Sequence, residues 1–362
     1  MPEEHIFSSA NQDLKINNYC MIPAALRPPD LLFTKGKLMQ AVSSSIADAQ
    51  MAEDLNQVRK VVDDLINDTP AIIHDMINNI MSGKGKMLRP MMVVLAGRYG
   101  EFEADKIYSL AAAVELLHNA TLVHDDIIDD AALRRGKPAI HTLHGSKLAI
   151  LVGDYLFSTC FVVAANNSKI EHYDSLAKAV ARICEGEILQ DTGKFLFDPS
   201  IRNYKRRIAS KTAVLFSLSL YLGAKESGCS ETVCSIFIRI GYSVGMAFQI
   251  IDDILDFTGN PKKTGKPSFG HDLSEGIYTL PMILALKEGD VQLQNLMNKG
   301  ILTRRRRRKI VALVSGSGGM EAARATAAQY TRRAIREIEK LNDGYSKEQL
   351  LSLTERLLSR EY

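Results

Sequence analysis

The sequence predicts an all-α fold, a large antiparallel helix bundle. Apolar residues recur at helical spacing in one segment of helix length after another, and no alternating strand pattern competes with them. At 362 residues and 46% hydrophobic, the chain is long and apolar enough to bury a sizeable core between packed helices. Residues 1–35 mix polar residues with Pro23, Pro28 and Pro29 and read as an irregular N-terminal segment. Residues 36–362 read as a single all-helical domain.

In chain order, helical spacing runs from Leu38 to Ile66, and a short helix from Ala71 to Met81 stops at Ser82-Gly83. A cationic turn, Gly83-Lys84-Gly85-Lys86-Met87-Leu88-Arg89-Pro90, precedes an apolar helix from Met91 to Arg98. Glu115 to Arg135 contains no Gly or Pro and reads as one long helix ending at Gly136. Helices through Leu148–Ala165 and Tyr173–Gly193 look like bundle core, and another apolar helix opens at Arg206. A further long apolar helix carries Gly245 to Phe257. From Met282 to Tyr362 the chain reads as helical scaffold, punctuated by Gly289 and Gly316 to Gly319.

Composition excludes several classes of function. A formal net charge of +3 gives no global attraction to nucleic acid. The basic run Arg304 to Lys309 is the local exception and reads as a solvated helix face, or as a docking surface for an anionic membrane or partner. Five cysteines without Cys-x-x-Cys spacing suggest neither a disulfide framework nor a zinc site, which fits a reducing cytoplasm. The N-terminus lacks the pattern of a signal or transit peptide, and the apolar stretch Leu148–Ala165 is interrupted by Asp154. The expected location is cytoplasmic.

The informative residues are acidic. Glu115, His118, Asp125 and Asp129 share one face of the long helix at steps of three, seven and four. Burying Asp125 and Asp129 among Leu122, Ile127 and Ile128 would cost several kcal/mol without compensating cations. Gln249, Asp252 or Asp253, and Asp256 repeat the pattern on a second apolar helix. One such cluster is an ordinary acidic helix end. Two clusters, far apart in sequence on apolar helices, point to one shared cation site.

The pair Asp-Asp-Ile-Ile-Asp at 125–129 and Asp-Asp-Ile-Leu-Asp at 252–256, with Leu-Val-His before the first and Gln-Ile-Ile before the second, resembles the trans-prenyl diphosphate synthases. The long-chain polyprenyl diphosphate synthases are the most similar, with motifs in family order from Ser82 to Pro281. The resemblance implies the isoprenoid synthase type of bundle, around a central apolar cavity. It implies condensation of isopentenyl diphosphate with an allylic diphosphate, with several Mg²⁺ held by Asp125, Asp129, Asp252 and Asp256. Lys86, Arg89, His118 and Arg135 would then bind isopentenyl diphosphate. Arg134, Lys211, Thr212 and Gln249 would bind the allylic diphosphate, with Lys211 stabilising the leaving group, and Lys266 would be a further diphosphate ligand. Lys84 and Met87 depart from the family's cationic turn, and Ile277 stands where a Lys is common. Glu185, Glu187, Gln190 and Asp191 form a polar strip expected only to support the site.

Thr121 and Ala120, four and five residues before Asp125, are small, where family members with short products carry aromatic residues. A long product for quinone side chains follows from the resemblance, with a geranylgeranyl or farnesyl diphosphate synthase as the alternative. The family also implies a homodimer, or a heteromer in which this chain is the catalytic partner of a small non-catalytic subunit, and a transient membrane contact for product release. Three other readings fit less well. A di-iron bundle needs a second Glu-x-x-His besides Glu115–His118. A class I terpene cyclase usually carries Asn or Asp, Ser or Thr, and Glu at its second metal motif. A scaffold subunit loses the aspartates that this chain keeps.

Overall fold

The computed structural model describes residues 37–81, 85–134, 136–196, 200–258, 269–297 and 302–358. The 1–35 segment, Gly83 and Lys84 of the cationic turn, Arg135 and Lys266 lie outside the described residues. The chain divides into two units, Met1–Gln50 and Met51–Tyr362. The described part of the first is the opening of helix α1 (Lys37–Asn67).

The second unit is helical almost throughout. Helices α2 (Ala71–Met81), α3 (Leu88–Gly97) and α4 (Ala104–Ile128) are followed by a small hairpin. Its strands β1 (Leu133–Arg134) and β2 (Lys137–Pro138) pair antiparallel with Arg134 opposite Lys137. Then come α5 (Ile140–His144), α6 (Ser146–Asn167), α7 (Ile170–Thr192) and α8 (Ile201–Ile208). A single π-helical turn at Ala209–Ala213 leads into α9 (Val214–Glu226) and α10 (Glu231–Thr258). Six more helices close the unit: α11 (His271–Ser274), α12 (Leu280–Lys287), α13 (Val291–Met297), α14 (Arg304–Ser315), α15 (Gly318–Ile338) and α16 (Tyr345–Leu358).

Helix α4 packs on α3 and α6, α9 packs on α3 and α10, and α10 packs on α15. The sequence explains the central position of α4. Ala111, Ala112 and Ala113 are buried and small enough to let neighbouring helices approach, while Leu110, Val114, Leu116 and Leu117 fill the core beside them. Around the other acidic helix, Ile250, Ile254 and Phe257 of α10 share one apolar cluster with Tyr204 and Ile208 of α8, Ile310 and Val314 of α14, and Tyr330 of α15.

Two sequence expectations need correction. Helix α4 stops at Ile128, not at Arg135. Asp129 has already left helical geometry at φ −93°, ψ 3°, and Asp130 enters the left-handed region at φ +47°. Asp tolerates that conformation better than most residues, so the acidic run also ends the helix. Arg134 therefore stands on a hairpin too short to show strand periodicity. The second correction lies at Arg206, where two helices meet through a π turn in place of one continuous helix.

By length and composition α6 and α10 could each cross a membrane. Most of α10 is buried, whereas α6 packs one side on α4 and leaves Leu148, Leu151 and Val162 at 40, 54 and 60% exposure.

Candidate active site

The π turn is the hub of the polar interior. Inserting an extra residue into a helical turn re-aims the side chains on it, and such turns recur at functional sites. Here it directs two successive residues toward the two acidic helices. Lys211 Nζ lies 2.9 Å from Glu187 of α7 and 3.7 Å from Asp125 Oδ2 of α4. Thr212 donates its hydroxyl to Gln249 Oε1 of α10 at 2.7 Å, and Gln249 Nε2 donates to Asp253 Oδ1 at 2.9 Å. Asp125 and the 252–256 cluster are thus joined through adjacent residues of one turn. Close backbone approach makes this possible. A Cβ on Gly245 would lie 2.5 Å from Ala213 Cα, and one on Gly186 would lie 2.8 Å from Ser210 Cβ.

Electrostatics follow from burial. Loss of water raises the Asp125 carboxyl to about 7, with Lys211 pulling it down and Glu187 and Asp129 pushing it further up. Burial opposes the Lys211 ammonium, yet Asp125 and Glu187 beside it hold its pKa above the ordinary lysine value.

Each aspartate of the first cluster has its own cation. Asp126 is buried and paired with Arg134 of the hairpin, whose Nε donates to Oδ1 at 2.8 Å. Asp129 Oδ1 accepts from Lys194 Nζ at 3.1 Å, and the same ammonium lies 3.1 Å from Asp191. Lys194 follows α7 and is held near Gly276 because Phe195 N donates to Gly276 O at 3.0 Å. In the second cluster, Asp253 is buried and accepts the Tyr204 hydroxyl at 2.6 Å, while Asp252 is half-buried. Burial and then Asp253 raise the Tyr204 phenol well above its ordinary value, so it stays a donor. Asp256 is buried and accepts the backbone N–H groups of His271 and Asp272 at 3.2 and 3.3 Å.

At the cationic turn, Arg89 Nη1 lies 3.0 Å from His118 Nε2, and its guanidinium stacks 4.9 Å from the Phe216 ring centroid. Arginine has no acceptor, so His118 accepts through Nε2 and keeps its proton on Nδ1. Lys86 is exposed on this turn. Met87 caps α3 with a left-handed backbone at φ +46° and a buried side chain, so the position is apolar filling where a cation is usual.

The polyprenyl synthetase family model matches residues 70–314. The chain belongs to that family. It is 32% identical over 310 residues to heptaprenyl diphosphate synthase component 2 of Bacillus subtilis, covering 86% of this chain and 89% of that protein. It is 31% identical to octaprenyl diphosphate synthase of Escherichia coli, covering 86% and 97% respectively. Among solved structures, heptaprenyl diphosphate synthase of Staphylococcus aureus matches with a TM-score of 0.82 at 32% identity, over 86% of this chain and 98% of that one. A Caulobacter crescentus polyprenyl synthase, complexed with calcium and isoprenyl diphosphate, matches with 0.81 at 33% identity, over 87% and 97%.

As a polyprenyl synthetase the chain is a prenyltransferase with the all-α isoprenoid synthase fold. Sequence reasoning passed over Lys194, Asp126 and Tyr204, left Asp252 and Asp253 as alternatives, and gave Glu187 only a supporting place. Apart from Asp126 with Arg134, each has a partner on a distant element, Asp129 for Lys194, Tyr204 and Asp253 for each other and Lys211 for Glu187, which no local pattern shows. Among the described residues, no three carboxylate, imidazole or thiol groups close on one point as a ready-made metal cage. The donors that do face the hub are hard oxygens, which suits Mg²⁺, an ion that takes one or two carboxylates and completes its shell with phosphate and water.

Gly245→Ala tests the hub. The added methyl must displace backbone in the π turn and so moves Lys211. A shift approaching 1 Å lowers kcat by about 100-fold, while circular dichroism retains the helical signal. Unchanged kcat would show that the close approach does not set the site.

Proposed function

We propose that this polyprenyl synthetase extends an allylic diphosphate with isopentenyl diphosphate into a long-chain all-trans polyprenyl diphosphate, with Mg²⁺. The observation that carries the reading is the π turn, whose Lys211 and Thr212 reach toward both acidic helices. Asp125, Asp129, Asp252 and Asp256 would hold the ions that bind the allylic diphosphate. Bound Mg²⁺ supplies charge for the departing diphosphate. Lys211 adds a fixed ammonium there, aided by Arg134, Thr212, Gln249 and Lys266. Lys86, Arg89, His118 and Arg135 anchor isopentenyl diphosphate. As the allylic C–O bond breaks, the isopentenyl double bond forms the new C–C bond, and a proton leaves to the released diphosphate. Apolar walls keep water from the allylic cation.

The product's tail runs along α4 past Thr121 and Ala120. The long-chain reading is supported by these small residues and by relatives named for hepta- and octaprenyl products. The exposed Leu148, Leu151 and Val162 on α6 offer an apolar seam for a second copy or a small non-catalytic subunit. The Bacillus subtilis relative named as component 2 favours keeping both arrangements in the test.

Purified alone with Mg²⁺, farnesyl diphosphate and isopentenyl diphosphate, the chain is expected to give prenyl diphosphates longer than geranylgeranyl, resolved by mass spectrometry. A product that stops at geranylgeranyl overturns the long-chain reading, and no product without an added subunit makes the enzyme heteromeric. Ala120→Tyr is expected to shorten the product by several isoprene units, and an unchanged length would refute this tail path.

The raised Asp125 pKa predicts a pH dependence. Below about 7 a proton competes with the ion for this carboxylate. The apparent Mn²⁺ affinity of the ligand-free protein should fall by up to about tenfold per pH unit as pH drops below 7 and level off above it. Paramagnetic resonance titrations from acid to alkaline pH measure this, and Asp125→Asn should flatten the curve. Stability has the opposite sign. The folded state binds this proton more tightly than the unfolded one, so ion-free protein gains stability as pH falls from 7 toward the ordinary carboxylate range.

A further inference from the structure

The basic run on α14 is not used by the site, and the structure gives it surroundings that the sequence did not show. Its exposed residues Arg304, Arg305, Arg308 and Lys309 fall on one helical face, opposite the buried Ile310 and Val314. None of the four has an acidic partner among the described residues. They also occupy the opening turns of the helix, where the dipole disfavours positive charge. The arrangement therefore stabilises neither the helix nor the fold.

A second set of cations joins it. Arg207 of α8 donates to the Tyr278 carbonyl at 2.7 Å, and burial raises the Tyr278 phenol while Arg306 of α14 offsets part of that rise. On the same helix α8, the Lys205 ammonium is depressed by burial and then by Arg333 of α15, a like charge. Arg202 and Arg206 of α8 are exposed. No Asp or Glu occurs at 200–213 or at 302–316, so neither α8 nor α14 brings a carboxylate of its own to this surface; the nearest in sequence to Phe269 are Asp272 and Glu275 of the following element.

An exposed aromatic lies beside the cations. Phe269 is 46% exposed, and the Gly270 that follows it packs against Val311 and Arg307 of α14. Gly270 N donates to Asp256 O at 2.9 Å, which ties this surface to the acidic end of α10. Cations flanking an aromatic ring suit a lipid headgroup layer over an acyl boundary better than a purely polar polyanion.

We propose that the face formed by α14, α8 and Phe269 docks the enzyme on an anionic lipid bilayer, with the acidic end of α10 beside that surface. The choice of a bilayer over other anionic partners rests on the reading that the product is a long polyprenyl diphosphate, too apolar to leave into water. Phosphate headgroups take the arginines, and Phe269 enters the boundary between headgroups and acyl chains.

The test is co-sedimentation of the full chain with vesicles of equimolar phosphatidylglycerol and phosphatidylcholine, against vesicles of phosphatidylcholine alone. Binding is expected for the anionic vesicles at low salt and is lost at high salt. Each cation near the surface contributes about fivefold in affinity, so Arg304→Gln/Arg305→Gln/Arg308→Gln together should weaken binding on the order of a hundredfold. Phe269→Ser weakens it further without changing the salt dependence. Condensation in detergent-free solution is the folding control and should be unchanged in the triple variant. Equal binding to both vesicles, no binding to either, or equal binding by the triple variant overturns the proposal. So does tighter binding of RNA or polyglutamate than of the anionic vesicle. A chain that binds vesicles but forms no prenyl product sinks the catalytic reading alone, and one that is active yet ignores vesicles sinks the docking alone.

Discussion

A carboxylate placed out of water sets the terms for the rest of this molecule. Asp125 is only partly exposed on a helix whose core side is Leu, Val and Ala, and its loss of water lifts its pKa to about 7. The protein compensates with one half-buried lysine, and that lysine arrives on the right line because α8 and α9 are joined by a π turn. A regular helix would be simpler to form and would aim residue 211 elsewhere. The glycines that admit α7 and α10 against the turn give up side-chain packing for the same purpose. Local irregularity at 209–213 makes sense as the geometry demanded by charge, since it adds little to the fold by itself.

The bundle was legible in the sequence because its signal is local. Apolar residues at three and four spacing mark α3, α4, α6 and α10 wherever one reads, and the acidic clusters stand out against them. What was not legible depends on contacts between distant segments. Periodicity could not say whether Asp252 or Asp253 faces the core, and the Tyr204 hydroxyl from α8 decides it by burying Asp253. It could not find Lys194 either, whose partner is 65 residues away. The early end of α4 was missed for a different reason. Asp130 takes a left-handed conformation that no helix-breaking Gly or Pro announces.

Net charge hides as much as it tells. A total of +3 is nearly neutral, yet Asp125, Glu187 and Asp253 meet around the hub while α8 and α14 carry no acidic residue. Segregation of this kind creates local fields that a whole-chain sum cannot show. The acidic interior favours cations and the phosphates they carry, and the basic exterior favours an anionic surface. The two lie close together, joined at Asp256 and Gly270.

Within the first acidic run, three neighbouring aspartates have become three different things. Asp126 is paired by Arg134 and anchors the hairpin to α4, which fixes the position of an arginine expected at the diphosphate. Asp125 is matched by Lys211 from the π turn, and Asp129 by Lys194 from the end of α7. Lys211 also faces Glu187 and Lys194 also faces Asp191, so five carboxylates share three cations and the cluster stays short of positive charge. In the proposed function these carboxylates would hold Mg²⁺, and the ammonium groups of Lys211 and Lys194 would then be available to the negative charge of a diphosphate. The same residues would thus serve either set of partners by exchanging them, which limits how much unpaired charge the bundle must carry.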